Sequence, residues 1–280
     1  MYDSLIMSTS MKKAPIRVFT AFSGYDSQCL ALDRLKRDHP NFDYELVGWS
    51  EIDKYAIQAH NAIYPQWADR NFGDISAIDW QQVPDFDLFT YSSPCQDFSN
   101  AGLQRGAEEG SGTRSSLLWE CRRAIVAKRP KYLLFENVAA VVSKKFMPLF
   151  QQWIGELEGY GYANFWQIMN AKDYGVAQNR KRLFMVSILR DGIEPHPGYE
   201  FPRPFPLAQR LKDVLEPEVD EKYYLSDKTV QSFAEHCARK QAEGCGFKFE
   251  PSTGDCVGKS ITTRSGGRET DNYILDGGDR

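Results

Sequence analysis

The stretch Ile16-Arg17-Val18-Phe19-Thr20-Ala21-Phe22, followed by Ser23-Gly24-Tyr25-Asp26-Ser27, decides the fold. Residues 16–22 form an apolar, β-branched and aromatic run and read as a strand. Ser23-Gly24 supplies a turn, and Leu30, Leu32 and Leu35 start a helical pattern. The same unit recurs along the chain. Strands are expected at 44–50, 86–91, 131–136, 163–169 and 182–189, and helices at 52–63, 115–127 and 146–158. Alternation of this kind predicts an α/β fold, a doubly wound and mostly parallel sheet. Ligands of such sheets sit beyond the carboxyl ends of the strands.

The 280 residues suit one large domain, or one large and one small. A net charge of −4 excludes a polycation but not a local basic face that binds phosphates. The six cysteines, at 29, 95, 121, 237, 245 and 256, form no C-x-x-C pair, so no structural zinc or other metal site is expected. With no signal peptide, reduced thiols and a cytoplasmic setting are the reading. No apolar run approaches the ~20 residues of a membrane helix. Residues 1–15 read as a leader and 16–190 as the α/β domain. Past 190 the regular pattern stops. Pro195, Pro197, Pro202, Pro204 and Pro206 mark an irregular segment, 210–240 keeps some helical character, and 191–280 reads as a small separate region.

The chemistry-bearing residues fall at the expected strand ends. Gly24 ends the first strand, where a nucleoside-bearing cofactor meets backbone amides; a plain tight turn fits that one glycine as well. The second strand ends in Gly48-Trp49-Ser50-Glu51, and an acid there accepts from ribose hydroxyls or caps the next helix. Asp74 accepts from an adenine amino group or caps a turn. The third strand ends in Ser92-Ser93-Pro94-Cys95-Gln96. A thiolate is a strong carbon nucleophile. A papain-like or serine triad needs a partnered histidine, and His39, His60, His196 and His236 lie at none of these ends. The fourth strand ends in Phe135-Glu136-Asn137-Val138, and Glu136 can protonate or hydrogen-bond a ring nitrogen. The run Gln178-Asn179-Arg180-Lys181-Arg182 opens the last expected strand, so Gln178, Arg180 and Arg182 are expected to share a face. Two guanidiniums there suit a phosphate or a polarised carbonyl; a solvated basic edge strand is the alternative.

Taken together, these stretches resemble the cytosine-C5 DNA methyltransferases. Phe22-Ser23-Gly24 resembles the family's first motif, Pro94-Cys95-Gln96 its nucleophile motif, Glu136-Asn137-Val138 its acid motif, and Gln178-x-Arg180-x-Arg182 its arginine motif. The resemblance implies a Rossmann-like catalytic domain at 16–190 and a target-recognition region at 191–280. It places Phe22, Ser23, Gly24, Glu51, Ile52, Asp74, Ile75 and Pro94 around S-adenosylmethionine. It gives catalytic parts to Cys95, Glu136, Arg180 and Arg182, and substrate contacts to Gln96, Ser99, Asn137 and Gln178. The target is a cytosine flipped out of double-stranded DNA, attacked at ring carbon 6 by Cys95 and methylated at carbon 5. Ser99 and residues 102–116 belong to a loop that closes over the base. A modification system is the implied setting.

Two departures stand out. Asp26 and Ser27 occupy positions where the family usually has glycines. Ile261 to Leu275 resembles the lead-in to the family's C-terminal return, which does not follow. That implies a truncated form, a disabled relative, or half of a split enzyme with a second chain supplying the missing motifs. An RNA cytosine methyltransferase and a non-catalytic cofactor- or DNA-binding half are the competing readings.

Overall fold

The computed structural model describes residues 14–94, 114–190, 198–244, 249–261 and 271–275. They form two compact units, 1–168 with 182–200, and 169–181 with 201–280.

The first unit is built on a sheet. Its strands are β1 (Ile16–Ala21), β2 (Tyr44–Ser50), β3 (Leu88–Tyr91), β4 (Tyr132–Val138), β5 (Tyr162–Asn170) and, after the two-residue β6 (Gln178–Asn179), β7 (Lys181–Leu189). The order is β2-β1-β3-β4-β7-β5. β1, β2, β3 and β4 pair in parallel, while β7 runs antiparallel to β4. The order reverses at β1, so β1 and β3 flank the switch point where such sheets take their ligands.

Helices α1 (Ser27–Asp38) and α2 (Lys54–Ile63) accompany one face, and α3 (Glu120–Lys128) and α4 (Met147–Gly159) the other. Alternation along β1 explains this. Phe19 and Ala21 join the core holding Trp119, Cys121, Phe150 and Trp153, and Val18 joins the core holding Cys29, Leu46, Trp49 and Tyr64. Burial of each large side chain contributes about 1.5–3 kcal/mol. Gly48 is required by space, because a Cβ there would lie 2.8 Å from the rings of Phe19 and Phe72. Asp33 of α1 accepts hydrogen bonds from the hydroxyls of Tyr44 (2.7 Å) and Tyr64 (2.8 Å), joining α1, β2 and the end of α2. Burial pushes both phenols above their ordinary value, and the Asp33 carboxylate adds to it.

The run 178–182 is not one strand. Gln178 and Asn179 pair in parallel with β8 (Gly258–Lys259) in a two-stranded sheet of the second unit. The chain breaks at Arg180, whose N–H donates to Asn170 Oδ1 (2.9 Å) and whose carbonyl accepts from Ala171 N–H (3.0 Å). Arg182 then begins the pairing with β4 in the first unit. Gln178 and Arg180 therefore do not share a strand face with Arg182. The second unit also holds α5 (Asp227–Ala242), whose N-cap Ser226 accepts from Thr229 N–H, and an aromatic cluster of Phe233, Phe249 and Tyr273. Among the described residues no helix is long and apolar enough to cross a membrane.

Candidate active site

The carboxyl ends of β1 to β4 bring most of the expected residues to one edge of the first unit. The turn after β1 is held in an unusual backbone path: Phe22, Gly24 and Asp26 have φ of 56°, 59° and 66°. Gly24 meets no steric obstacle to a side chain, so its left-handed conformation is what calls for glycine. Phe22 adopts that conformation at a cost of about 1–2 kcal/mol, with its ring packed against the core. The turn is tied to the end of β2: Ser23 N–H donates to the Ser50 carbonyl (3.3 Å), and Gly24 N–H to Glu51 Oε2 (2.9 Å).

Glu51 is a backbone acceptor as well as a strand-end acid. Its Oε1 accepts from Ile52 N–H (2.8 Å) and Asp53 N–H (2.9 Å). A carboxylate has about four lone-pair sites, so three such bonds leave room for a hydroxyl donor. Asn71 locks the next segment to it. Its Oδ1 accepts from Glu51 N–H (3.3 Å) and Gly73 N–H (2.9 Å), and its Nδ2 donates to the Glu51 carbonyl (3.1 Å). Nothing in the sequence pattern singled out Asn71. Asp74 caps the short 3-10 turn Ile75–Ala77; its Oδ1 accepts from both the N–H and the hydroxyl of Ser76. Ile52 is 61% exposed beside Glu51, an apolar face left toward solvent. Ile75, expected beside the cofactor, has its side chain in the core at 2% exposure.

The stem of the Pro-Cys loop is anchored from two sides. Gln28 of α1 donates to Ser92 Oγ (3.3 Å). Asn137, at the end of β4, donates to the Ser93 carbonyl (3.1 Å) and lies 3.3 Å from Ser93 Oγ. Asn137 is 2% exposed, so the amide expected at the substrate is turned inward to the loop stem instead. Pro94 is half-buried and is the last described residue of the stem; Cys95, Gln96 and Ser99 lie outside the described residues. Glu136 pairs with Arg182, Nε to Oε1 at 3.0 Å, both side chains roughly three-quarters buried at 27% and 21% exposure. In the second unit Gln178 and Arg180 are half-buried, Arg180 following the β6–β8 pair.

Residues of the first unit fit S-adenosylmethionine. The Ser23 hydroxyl is buried without a partner among the described residues, Glu51 retains acceptor capacity, Asp74 Oδ2 has no partner among them, and Ile52 offers an apolar surface. Among the described residues no cluster of His, Cys, Asp or Glu is arranged to hold a metal ion.

A doubly wound sheet with a turn and acid that fit a nucleoside, beside a Pro-Cys stem and a Glu–Arg pair, is the arrangement expected of an S-adenosylmethionine-dependent methyltransferase. Residues 16–275 match the family model "C-5 cytosine-specific DNA methylase", and the chain belongs to that family. It is 38% identical over 266 residues to the Type II methyltransferase M2.ScrFI of Lactococcus lactis subsp. cremoris, covering 77% of this chain and 71% of that one. It is 34% identical over 207 residues to the Type II methyltransferase M.NlaX of Neisseria lactamica, covering 74% and 63%. Over 271 residues it is 32% identical to the orphan methyltransferase M.SssI of Spiroplasma monobiae, covering 77% and 69%. The chain thus spans roughly two thirds of the length of these relatives. Among solved structures the fold is similar to that of the Entamoeba histolytica methyltransferase EhMeth, with a TM-score of 0.65, 17% identity, and 88% and 70% of the two chains covered.

Proposed function

We propose that the chain methylates carbon 5 of a cytosine in double-stranded DNA, with Cys95 as the nucleophile. The observation that carries this is one edge of the first unit. There a turn clipped to Glu51 and the Glu136–Arg182 pair flank the anchored stem of a single Pro-Cys loop.

When bound, S-adenosylmethionine supplies an electrophilic methyl group. Phe22, Ser23, Gly24, Glu51, Ile52 and Asp74 would hold it, with Glu51 free to accept from the ribose and Asp74 from the adenine amino group, and Pro94 would lie beside it. Cytosine carbon 5 is too weak a nucleophile to act by itself. The Cys95 thiolate forms a bond to ring carbon 6, and the electron pair of the carbon 5–carbon 6 double bond moves into the ring. The carboxyl proton of Glu136 is donated to ring nitrogen 3, by hydrogen bond or transfer, and so stabilises the negative charge arriving there. Arg182 fixes the carboxyl group of Glu136 in orientation. Carbon 5 then uses that electron pair to bond to the methyl carbon, while the carbon–sulfur bond of S-adenosylmethionine breaks and its electron pair leaves on the sulfur of S-adenosylhomocysteine. A base takes the carbon-5 proton, the electron pair restores the double bond, and the Cys95 thiolate departs. Asn137 and Gln28 hold the stem from which Cys95 is presented. The part given to Arg180, at the cytosine carbonyl oxygen, rests on the motif alone. The names of the Type II relatives support a modification system as the setting.

The test is incubation of the purified chain with methyl-labelled S-adenosylmethionine and unmethylated genomic DNA. Label in 5-methylcytosine, lost in Cys95→Ala, is expected. Label that persists in Cys95→Ala overturns the mechanism, and no label from the wild-type chain overturns its activity as a lone catalyst.

A further inference from the structure

We infer that Asp26, with Thr20 and His60, is a buried clasp that positions the cofactor turn of this chain. This rests on the cofactor reading given above. Asp26 is the N-cap of α1 in the left-handed conformation, φ 66°. Glycine adopts that conformation without strain. An aspartate there needs a reason, and its side-chain contacts supply one. Oδ2 accepts from Thr20 Oγ1 at 2.8 Å and Oδ1 from Cys29 N–H at 3.3 Å. His60 Nε2, from α2, stands 3.7 Å from Oδ2. Asp26, Thr20 and His60 are all 0% exposed.

The clasp joins the segments that carry the proposed cofactor contacts. Thr20 is in register with Trp49 across β1 and β2. The His60 ring stacks on Trp49, centroids 3.8 Å apart and 23° between planes. Trp49 lies two residues before Glu51, and Asp26 two residues after Gly24. Asp26 N–H also donates to the Ser23 carbonyl (2.8 Å), closing the turn. The carboxylate thus fixes the loop whose Gly24 N–H reaches Glu51, and the imidazole fixes the strand that presents Glu51. Burying a carboxylate and an imidazole costs stability that an apolar pair of the same volume does not. Aspartate is a favoured N-cap, which accounts for the bond to Cys29 N–H; its full burial against Thr20 and His60 goes beyond that need and suits a place where direction matters, as in setting three alternating left-handed residues.

The experiment measures S-adenosylmethionine affinity by calorimetry, KM and kcat by methyl transfer, and melting temperature, for the full chain and its Asp26→Gly, Asp26→Asn and Thr20→Val variants. Asp26→Gly removes the strain and every side-chain anchor. It is expected to weaken binding on the order of tenfold or more, about 1.4 kcal/mol, with KM raised more than kcat falls. Asp26→Asn, which tolerates the left-handed conformation and still accepts a hydrogen bond, is expected to restore part of the affinity. Thr20→Val removes one hydroxyl at nearly constant volume and keeps the test valid if Asp26→Gly fails to fold; a several-fold weaker affinity is expected. Wild-type affinity in Thr20→Val and in folded Asp26→Gly, whatever their melting temperatures, overturns the inference. Absence of S-adenosylmethionine binding by the wild-type chain overturns instead the cofactor reading on which it rests.

Discussion

Arg182 Nε lies 3.0 Å from Glu136 Oε1, across a strand pair in which Val138 faces Arg182 and Glu136 faces Phe184. The two side chains meet on the diagonal of an antiparallel ladder, where side chains of this length reach each other. The pair places a guanidinium behind the carboxyl group proposed to engage the cytosine ring. It follows from the register in which β7 pairs antiparallel with β4.

Arg182→Ala is therefore expected to lower kcat about 10²-fold, in line with loss of a positioned acid–base group. Arg182→Lys should recover only part, since an ammonium cannot reproduce the planar fork of the guanidinium. Steady-state methyl transfer, with circular dichroism to show retained fold, checks this. Wild-type kcat in Arg182→Ala would remove the pair from the mechanism.

Asn137→Ala leaves the Ser93 carbonyl without its buried donor. A loss of about 1–3 kcal/mol in unfolding free energy is expected from the unsatisfied acceptor. Because the lost bond steadies the stem of the Cys95 loop, kcat should also fall by more than the unfolded fraction explains. Urea denaturation beside kinetics separates the two effects. A stability loss with unchanged kcat would make Asn137 a packing residue alone.

Glu51→Gln should weaken S-adenosylmethionine binding about tenfold, because a neutral amide is a poorer acceptor for the Gly24 and helix-start N–H groups and for a ribose hydroxyl. KM should rise more than kcat falls. Equal affinity in the variant would reduce Glu51 to a helix cap.

Tyr44 and Tyr64 carry a pH dependence. Burial first, and Asp33 second, raise both phenols above their ordinary 10.0 in the folded state. Between the unfolded and folded values the native chain binds more protons, so stability falls as pH rises. Their contribution is complete below pH about 10 and is lost above it. Melting temperature should drop steadily above that pH. In Tyr44→Phe it should start lower at neutral pH, through the lost bond to Asp33, and decline less steeply above pH about 10. An equal alkaline slope in the two chains would contradict this.

The alternation of β1 to β4 with their helices was legible because each buried strand and each amphipathic helix writes its period into consecutive residues. The strand ends pick out Gly24, Glu51, Cys95 and Glu136 as candidates from local pattern, whereas the place of Pro94 beside the cofactor comes from the resemblance alone. Misreadings arose where distant partners decide. The run 178–182 leads directly into the apolar strand 183–189, but Gly258, eighty residues on, takes Gln178 into another sheet. Asn137 is given a substrate contact by the resemblance alone, and its amide donates to the Ser93 stem, a partner no local pattern shows. Ile75 is named by the resemblance alone, and the packing of the strand faces puts its side chain in the core. Asp26 registered only as a missing glycine, since the hydrogen bonds that explain it come from β1 and α2.

Covalent trapping tests the central claim most directly. A duplex carrying 5-fluorocytosine at the methylated site, incubated with the chain and S-adenosylmethionine, blocks the last step, because fluorine cannot leave as a proton does. Mass spectrometry of the digested complex should find the modified base on the peptide containing Cys95. Methylation of ordinary duplex without any such adduct, or an adduct on a different residue, would contradict the account.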